Sequence, residues 1–174
     1  PEPLKELLKY TDAIKIDLKG FTEDFYREVS MGDLKSVLRT LKIIKKSGVW
    51  LEIVNLVVPT LNDNPDDIRS MCEWIRDSLG PDVPVHFTRF HPDYKLTNLP
   101  ATPIKTLERA IEIAKESGLH YVYIGNVPGH PYNNTYCPYC GKLLIRRVGL
   151  SVLENHIKDG RCPYCGHKIP GIWK

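Results

Sequence analysis

The sequence predicts an α/β protein, with parallel strands joined by crossover helices, followed by a small four-cysteine metal-binding ribbon. Four β-branched or aromatic runs alternate with three amphipathic helical patterns, the rhythm of strand–helix–strand units. The runs begin roughly 35 residues apart, a comfortable length for one such unit. Two copies of Cys-Pro-Tyr-Cys-Gly then stand within residues 137–174.

The expected strands cover residues 13–18, 50–58, 85–90 and 121–124. In the first, Ile14, Ile16 and Leu18 share one face and Lys15, Asp17 and Lys19 the other. An antiparallel sheet with one wet face would show the same alternation. In a parallel layout both faces are normally covered, so these charges must be paired or bind something polar. Asp17 and Lys19 fall at the C-terminal end of the strand, where barrels and open α/β sheets alike place their ligands. The third run repeats the theme with Arg89 and His91. In the second, Glu52 and Asn55 interrupt an apolar stretch, and each is either turned toward a ligand or satisfied by a neighbour.

The helices between the strands are well punctuated. Asp33 caps a pattern with Leu34, Val37, Leu38, Leu41 and Ile44 on one face, and Gly48 ends it. Asn64 with Pro65 opens the next, whose face is Ile68, Met71, Cys72, Ile75 and Leu79 before Gly80. Thr102 with Pro103 opens the third, with Ile104, Leu107, Ile111 and Ala114 inward and Gly118 as its stop. Cys72 on such a face reads as a small buried hydrophobe.

The segment up to residue 126 is therefore expected to form one domain. Residues 127–136, rich in Gly, Pro and Asn, read as a linker, and residues 137–174 as the ribbon. In the ribbon, Cys137 and Cys140, then Cys162 and Cys165, flank residues 141–161. A two-residue spacing lets a tight turn point both sulfurs at one cation, and the following glycine relieves the turn. Two such turns complete a tetrahedron. The intervening span is slightly longer than usual for a zinc site. Zinc is expected, and the same tetrathiolate suits a single iron, as in rubredoxin. Two disulfides or four free thiols form the competing reading. The few apolar residues between the knuckles, Leu143 to Leu150, make too small a core without a metal. His130, His156 and His167 are expected at the solvated surface.

The formal net charge of +3 conceals an asymmetry: the ribbon holds seven Lys/Arg against two Asp/Glu, and the rest of the chain 17 against 19. Four thiolates on a divalent cation would offset part of that basic charge. A nucleic-acid-binding or protein-docking ribbon is the alternative function, with Tyr139, Tyr164 and Trp173 available for stacking. No run approaches the roughly 20 apolar residues of a membrane span, so no membrane partner is expected, and the location expected is cytoplasmic. Pro1 is not a methionine and the first residues read as mid-helix, as though an N-terminal part had been removed.

Three motifs bear on family: Ile16-Asp17-Leu18-Lys19, then Val57-Val58-Pro59-Thr60-Leu61-Asn62-Asp63, then Phe90-His91-Pro92. In this order they resemble the second half of a radical SAM enzyme related to the pyruvate formate-lyase activating enzymes. Gly125-Asn126-Val127-Pro128-Gly129-His130 running into Thr135-Tyr136-Cys137, and the ending Ile169-Pro170-Gly171-Ile172-Trp173, are similar to the radical SAM member of the AmmeMemoRadiSam system. The resemblance implies a partial (β/α) barrel, the C-terminal part of a TIM-barrel-like radical SAM fold. It also implies an oxidoreductase in which a 4Fe-4S cluster binds S-adenosylmethionine and cleaves it to a 5′-deoxyadenosyl radical, acting on a protein or small molecule. By that resemblance Asp17, Lys19, Asn55 and His91 would line the S-adenosylmethionine end of the cavity. The family's CxxxCxxC cluster loop has no match in this chain. The expectation is a fragment with no catalytic residue of its own, inactive alone, that associates with itself through an exposed barrel edge.

Overall fold

The computed structural model describes residues 2–93 and 95–173. Pro1 and Lys174, the outermost positions of the two expected domains, lie outside the described residues. The first helix, α1 (Glu2–Leu8), leads into strand β1 (Ala13–Asp17), α2 (Glu23–Glu28) and α3 (Leu34–Ser47). Then come β2 (Trp50–Val57), α4 (Pro65–Leu79), β3 (Val85–Arg89), α5 (Ile104–Glu116) and β4 (Val122–Gly125). A single 3₁₀ turn at Pro131–Asn133 precedes β5 (Thr135–Tyr136), β6 (Leu143–Val148) and β7 (Ser151–Asn155).

β1 to β4 form a parallel sheet in sequence order, and β5 to β7 a separate antiparallel sheet. An all-parallel four-stranded sheet with no strand reversed is the α/β arrangement the sequence predicts, and it removes the antiparallel alternative for β1. Each crossover carries a helix that buries its apolar stripe on one face of the sheet.

The caps work as the sequence suggests, with one exception. The Asp33 carboxylate accepts from the Ser36 N–H, and the Asn64 amide oxygen accepts from Asp66 and Asp67, so both helices start with their first donors satisfied. Gly48 is left-handed at φ 82°, which ends α3 without a Cβ clash. Thr102, however, does not cap α5. It is fully buried, its hydroxyl donating to Val57 O at 2.6 Å and accepting from Phe90 N at 2.9 Å, and Pro103 takes the cap position with no side-chain bond. Thr102 thus ties the ends of β2 and β3 together. Ile104, expected inward, is exposed in the first turn, while Ala110 and Ile113 join the buried face.

The parallel register sorts every strand residue to one of two sides. Ile16, Ile53, Val85 and Val122 form one row toward the helices, and Asn55, Phe87 and Ile124 the next. Here lie Leu41, Ile44, Met71, Cys72, Ile75, Leu107 and Ile111, nearly or completely inaccessible to solvent. Each large apolar side chain in this layer contributes roughly 1.5–3 kcal/mol through burial. Burial also pushes the Cys72 thiol up to about 12, which makes it an inert core group as expected. The opposite side carries Lys15 beside Glu52, and Asp17, Val54, His86 and Tyr123 in one row. Its strand residues are only partly covered.

A second, smaller core joins the ribbon to the sheet: Tyr121, Cys137, Leu144, Ile145, Cys162 and Ile169 pack together. The segment at 127–136 is ordered by its own bonds. Asn133 donates to Ile124 O at 2.7 Å, and Thr135–Tyr136 pairs with β6. No helix among the described residues is long and apolar enough to cross a membrane.

Candidate functional site

The strongest site is built by the two knuckles. Each begins on a tight turn closed by a backbone bond, Gly141 N to Cys137 O and Gly166 N to Cys162 O, both 2.9 Å, with the glycines at φ 70° and 76°. The turns bring all four sulfurs within 4.8 Å of one another. Cys137 Sγ lies 3.7 Å from Cys165 Sγ, and Cys140 Sγ 3.7 Å from Cys162 Sγ. A tetrahedral cation with metal–sulfur bonds of about 2.3 Å requires edges of about 3.8 Å. The two 3.7 Å separations match that edge, and they are far beyond the roughly 2.05 Å of a disulfide. All four cysteines are free thiols, which sets the two-disulfide reading aside.

The electrostatics point the same way. Although desolvation opposes it, the Tyr164 and Cys165 amides lower the Cys162 thiol to about 7. The His167 amide favours ionisation of Cys165, yet desolvation and the three other sulfurs push it up to about 12. Cys162 ionises readily while Cys165 resists, so a full set of thiolates this close together is stabilised by a cation. The four cysteines therefore fit a metal ion, and the donor set suits zinc and iron alike.

The histidines near the ribbon are not ligands. His167 stacks on Tyr139 with ring centroids 5.7 Å apart, and His156 contacts Glu154 at 3.1 Å. His130 departs from the expected surface position. Its side chain is 12% exposed, it stacks on Tyr132, and its Nδ1 accepts from the Tyr132 N–H, so it organises the 3₁₀ turn.

The polar strand residues are not gathered in one place. Asp17 ends β1 between two lysines, its oxygens 2.7 Å from Lys15 Nζ and 3.3 Å from Lys19 Nζ. Desolvation raises its carboxyl, but the two ammonium groups outweigh that and hold it below the usual range. Lys19 lies just past the strand, where its N–H donates to Tyr26 Oη at 3.1 Å. His91 is exposed in the loop beyond β3. Asn55 stands on the other side of the sheet, 1% exposed against α4, donating to Leu18 O at 2.8 Å. Its Oδ1 is buried without a partner among the described residues. Arg89 also occupies the helix-side register and donates to Thr102 O at 2.9 Å.

Residues that carried little weight in the sequence form a connected group on the open side of the sheet. Glu52 Oε2 lies 2.8 Å from His86 Nε2, and its Oε1 accepts from Trp50 Nε1 at 3.0 Å. The His86 contact lowers the Glu52 carboxyl most, desolvation opposes it, and the Trp50 bond adds to the lowering. His86 stacks on Tyr123 at 4.9 Å, and Tyr123 Oη lies 3.0 Å from Thr135 Oγ1. The signal available was the even spacing of Glu52, Val54 and Leu56 opposite buried odd positions, which places Glu52 on the uncovered side.

No family model matches the chain. It is 52% identical over 170 residues to an uncharacterized protein of Methanocaldococcus jannaschii, covering 97% of this chain and 50% of that protein. It is 25% identical over 122 residues to the pyruvate formate-lyase-activating enzyme of Clostridium pasteurianum, covering 64% of this chain and 51% of that enzyme. The chain thus spans about half the length of the curated relatives it matches. Among solved structures, a domain of pyruvate-formate lyase-activating enzyme from Bacteroides vulgatus superimposes with a TM-score of 0.63, at 16% identity, over 72% of this chain and 74% of that domain. The chain is distantly and partially related to pyruvate formate-lyase-activating enzyme, and it shares the α/β fold of that domain.

Proposed function

We propose that this chain is the C-terminal half of a radical SAM enzyme of the activating-enzyme type, a partial (β/α) barrel whose four-cysteine ribbon holds a structural zinc ion. The observation that carries the reading is the register of β1 to β4, which sets Asp17 and Lys19 at the C-terminal end of a parallel sheet. The partial relationship to pyruvate formate-lyase-activating enzyme supports it.

The residues present do not fit an S-adenosylmethionine-binding iron–sulfur cluster. The clustered cysteines are paired two and two, their four sulfurs fill a tetrahedron, and no coordination position stays open for a substrate. No cluster step is assigned to this chain. Its contribution is the sheet end. Lys15 and Lys19 hold Asp17 ionised at the end of β1, and His91 is exposed in the loop after β3, two strands away, so hydrogen-bond acceptors and donors stand along the C-terminal edge of the sheet for the amino-acid and ribose parts of S-adenosylmethionine. Asn55 lies on the helix side and acts there by fixing Leu18, the residue between Asp17 and Lys19.

Reductive cleavage of S-adenosylmethionine to 5′-deoxyadenosine tests the reading. The chain alone should show none. A longer protein that joins these residues to a CxxxCxxC-bearing segment should show it, and Asp17→Ala in that protein should lower the rate at least about tenfold. Cleavage by the chain alone, or an unchanged rate in the variant, contradicts the proposal.

A further inference from the structure

The open side of the sheet and the ribbon enclose a cleft of about 690 Å³, within the range of a small-molecule site. Its lining includes Lys15, Glu52, His86, Tyr123, Arg147 and Leu150. The first four belong to the sheet, and the last two to the ribbon.

Arg147 is held as few surface arginines are. On β6 it shares the sheet-facing row with buried Ile145, while Arg146 turns away to pair with Glu154. Its N–H donates to Asn134 Oδ1 at 2.8 Å, and its Nη1 donates to Thr135 Oγ1 at 2.8 Å and approaches Asn133 O at 3.4 Å. The guanidinium carbon lies 6.0 Å from the centre of the Tyr123 ring. Nε and Nη2 make no hydrogen bond among the described residues, and no described carboxylate forms a direct ion pair with this cation, although Glu52 across the cleft is near enough for the two charges to attract. Glu52, the acid of the cleft, is occupied by His86 and Trp50, and Lys15 is neutralised by Asp17. A half-buried, immobilised guanidinium with two donor edges unused is an anion receptor in waiting, since a planar fork matches a carboxylate.

We propose that this cleft binds a small organic carboxylate, with Arg147 receiving the carboxylate and the Tyr123, His86 and Leu150 side chains lining its less polar body. The four-cysteine ribbon would then complete a binding site on the sheet, beyond finishing the fold. Neither a cluster nor S-adenosylmethionine is needed for this binding, so failure of the radical-enzyme reading leaves it standing.

The test is calorimetric titration of the metal-loaded chain with 3-phenylpropionate and with its uncharged amide. The acid should bind, with the amide about tenfold weaker or worse. Arg147→Gln should weaken the acid by about tenfold or more, Arg147→Lys by a smaller factor, and Arg146→Gln, which changes net charge equally, should leave it unchanged. Inorganic phosphate at matched ionic strength should not compete. Equal binding of acid and amide, no binding of either, equal losses in the Arg146 and Arg147 variants, or phosphate binding as tightly as the acid would each overturn the assignment. If Arg147→Gln loses metal or native circular dichroism, Arg147→Lys decides: affinity equal to that of the unsubstituted chain sinks the proposal.

Discussion

The sulfurs of Cys137 and Cys165, which belong to different knuckles, stand 3.7 Å apart, so each knuckle supplies half of one tetrahedron. The chain should bind one metal per molecule. A colourless protein that releases zinc assigns the ion, whereas visible thiolate-to-metal absorption assigns iron. Cys140→Ser, or chelation at elevated temperature, should unfold residues 137–173 and expose them to proteolysis. The helix-side core of β1 to β4 should survive, because among the described residues it shares no buried member with the ribbon core, which reaches the sheet domain through Tyr121. Retention of full metal content by Cys140→Ser argues against the site.

Glu52 and His86 give the fold an acid-sensitive contact. The Glu52 carboxyl is depressed in the folded chain, so its stabilisation is present above the unfolded value of about 4.3 and is lost as pH falls through the lower folded value. Both side chains are partly exposed, so the contribution is on the order of 1 kcal/mol or less. Urea melts of the chain and of Glu52→Gln should differ at neutral pH and converge in acid. A gap that persists or widens in acid contradicts this assignment.

Asn62 stitches the loop after β2. Its Oδ1 accepts from Val58 N at 2.6 Å, and its Nδ2 donates to Leu56 O at 2.8 Å and Lys19 O at 2.5 Å. Asn62→Ala should cost about 2–4 kcal/mol, because three bonds are lost and buried backbone groups are stranded. It should also loosen Lys19, visible as faster amide exchange there. A loss below about 0.5 kcal/mol would show that water replaces the side chain.

β1 has one edge paired with β2 and the other unpaired within the sheet, the condition under which strands recruit other chains. We propose self-association through that edge. Light scattering should give a mass above that of the monomer at micromolar concentration. A monomer at every concentration tested removes the edge as an interface.

Much of this was legible in the residues. The α4 face of Ile68, Met71, Cys72, Ile75 and Leu79 is buried as its spacing foretells, because helical periodicity reports burial directly. The knuckles were legible because ligand spacing is local. Thr102 was not, since a threonine before a proline looks like a cap and only the packing of β2 against β3 offers it better partners. The short α2 escaped notice although Thr22, whose hydroxyl accepts from Phe25 N, marks its start. Asn55 and Asp17 both lie in sheet strands near their C-terminal ends, and only the register shows that they face opposite ways. Arg147 was invisible as a wall of the cleft, because that role depends on how two sheets meet.

The alternation along β2 has a further meaning for how this chain tolerates change. Leu51, Ile53, Asn55 and Val57 are buried, and Trp50, Glu52, Val54 and Leu56 are not. Variation at the first set is limited by volume, and at Glu52 and Val54 of the second by whatever the cleft must hold. Lineages that keep the fold while exchanging ligands should therefore diverge at every second position of this strand, and a saturation scan across it should rise and fall like a sawtooth.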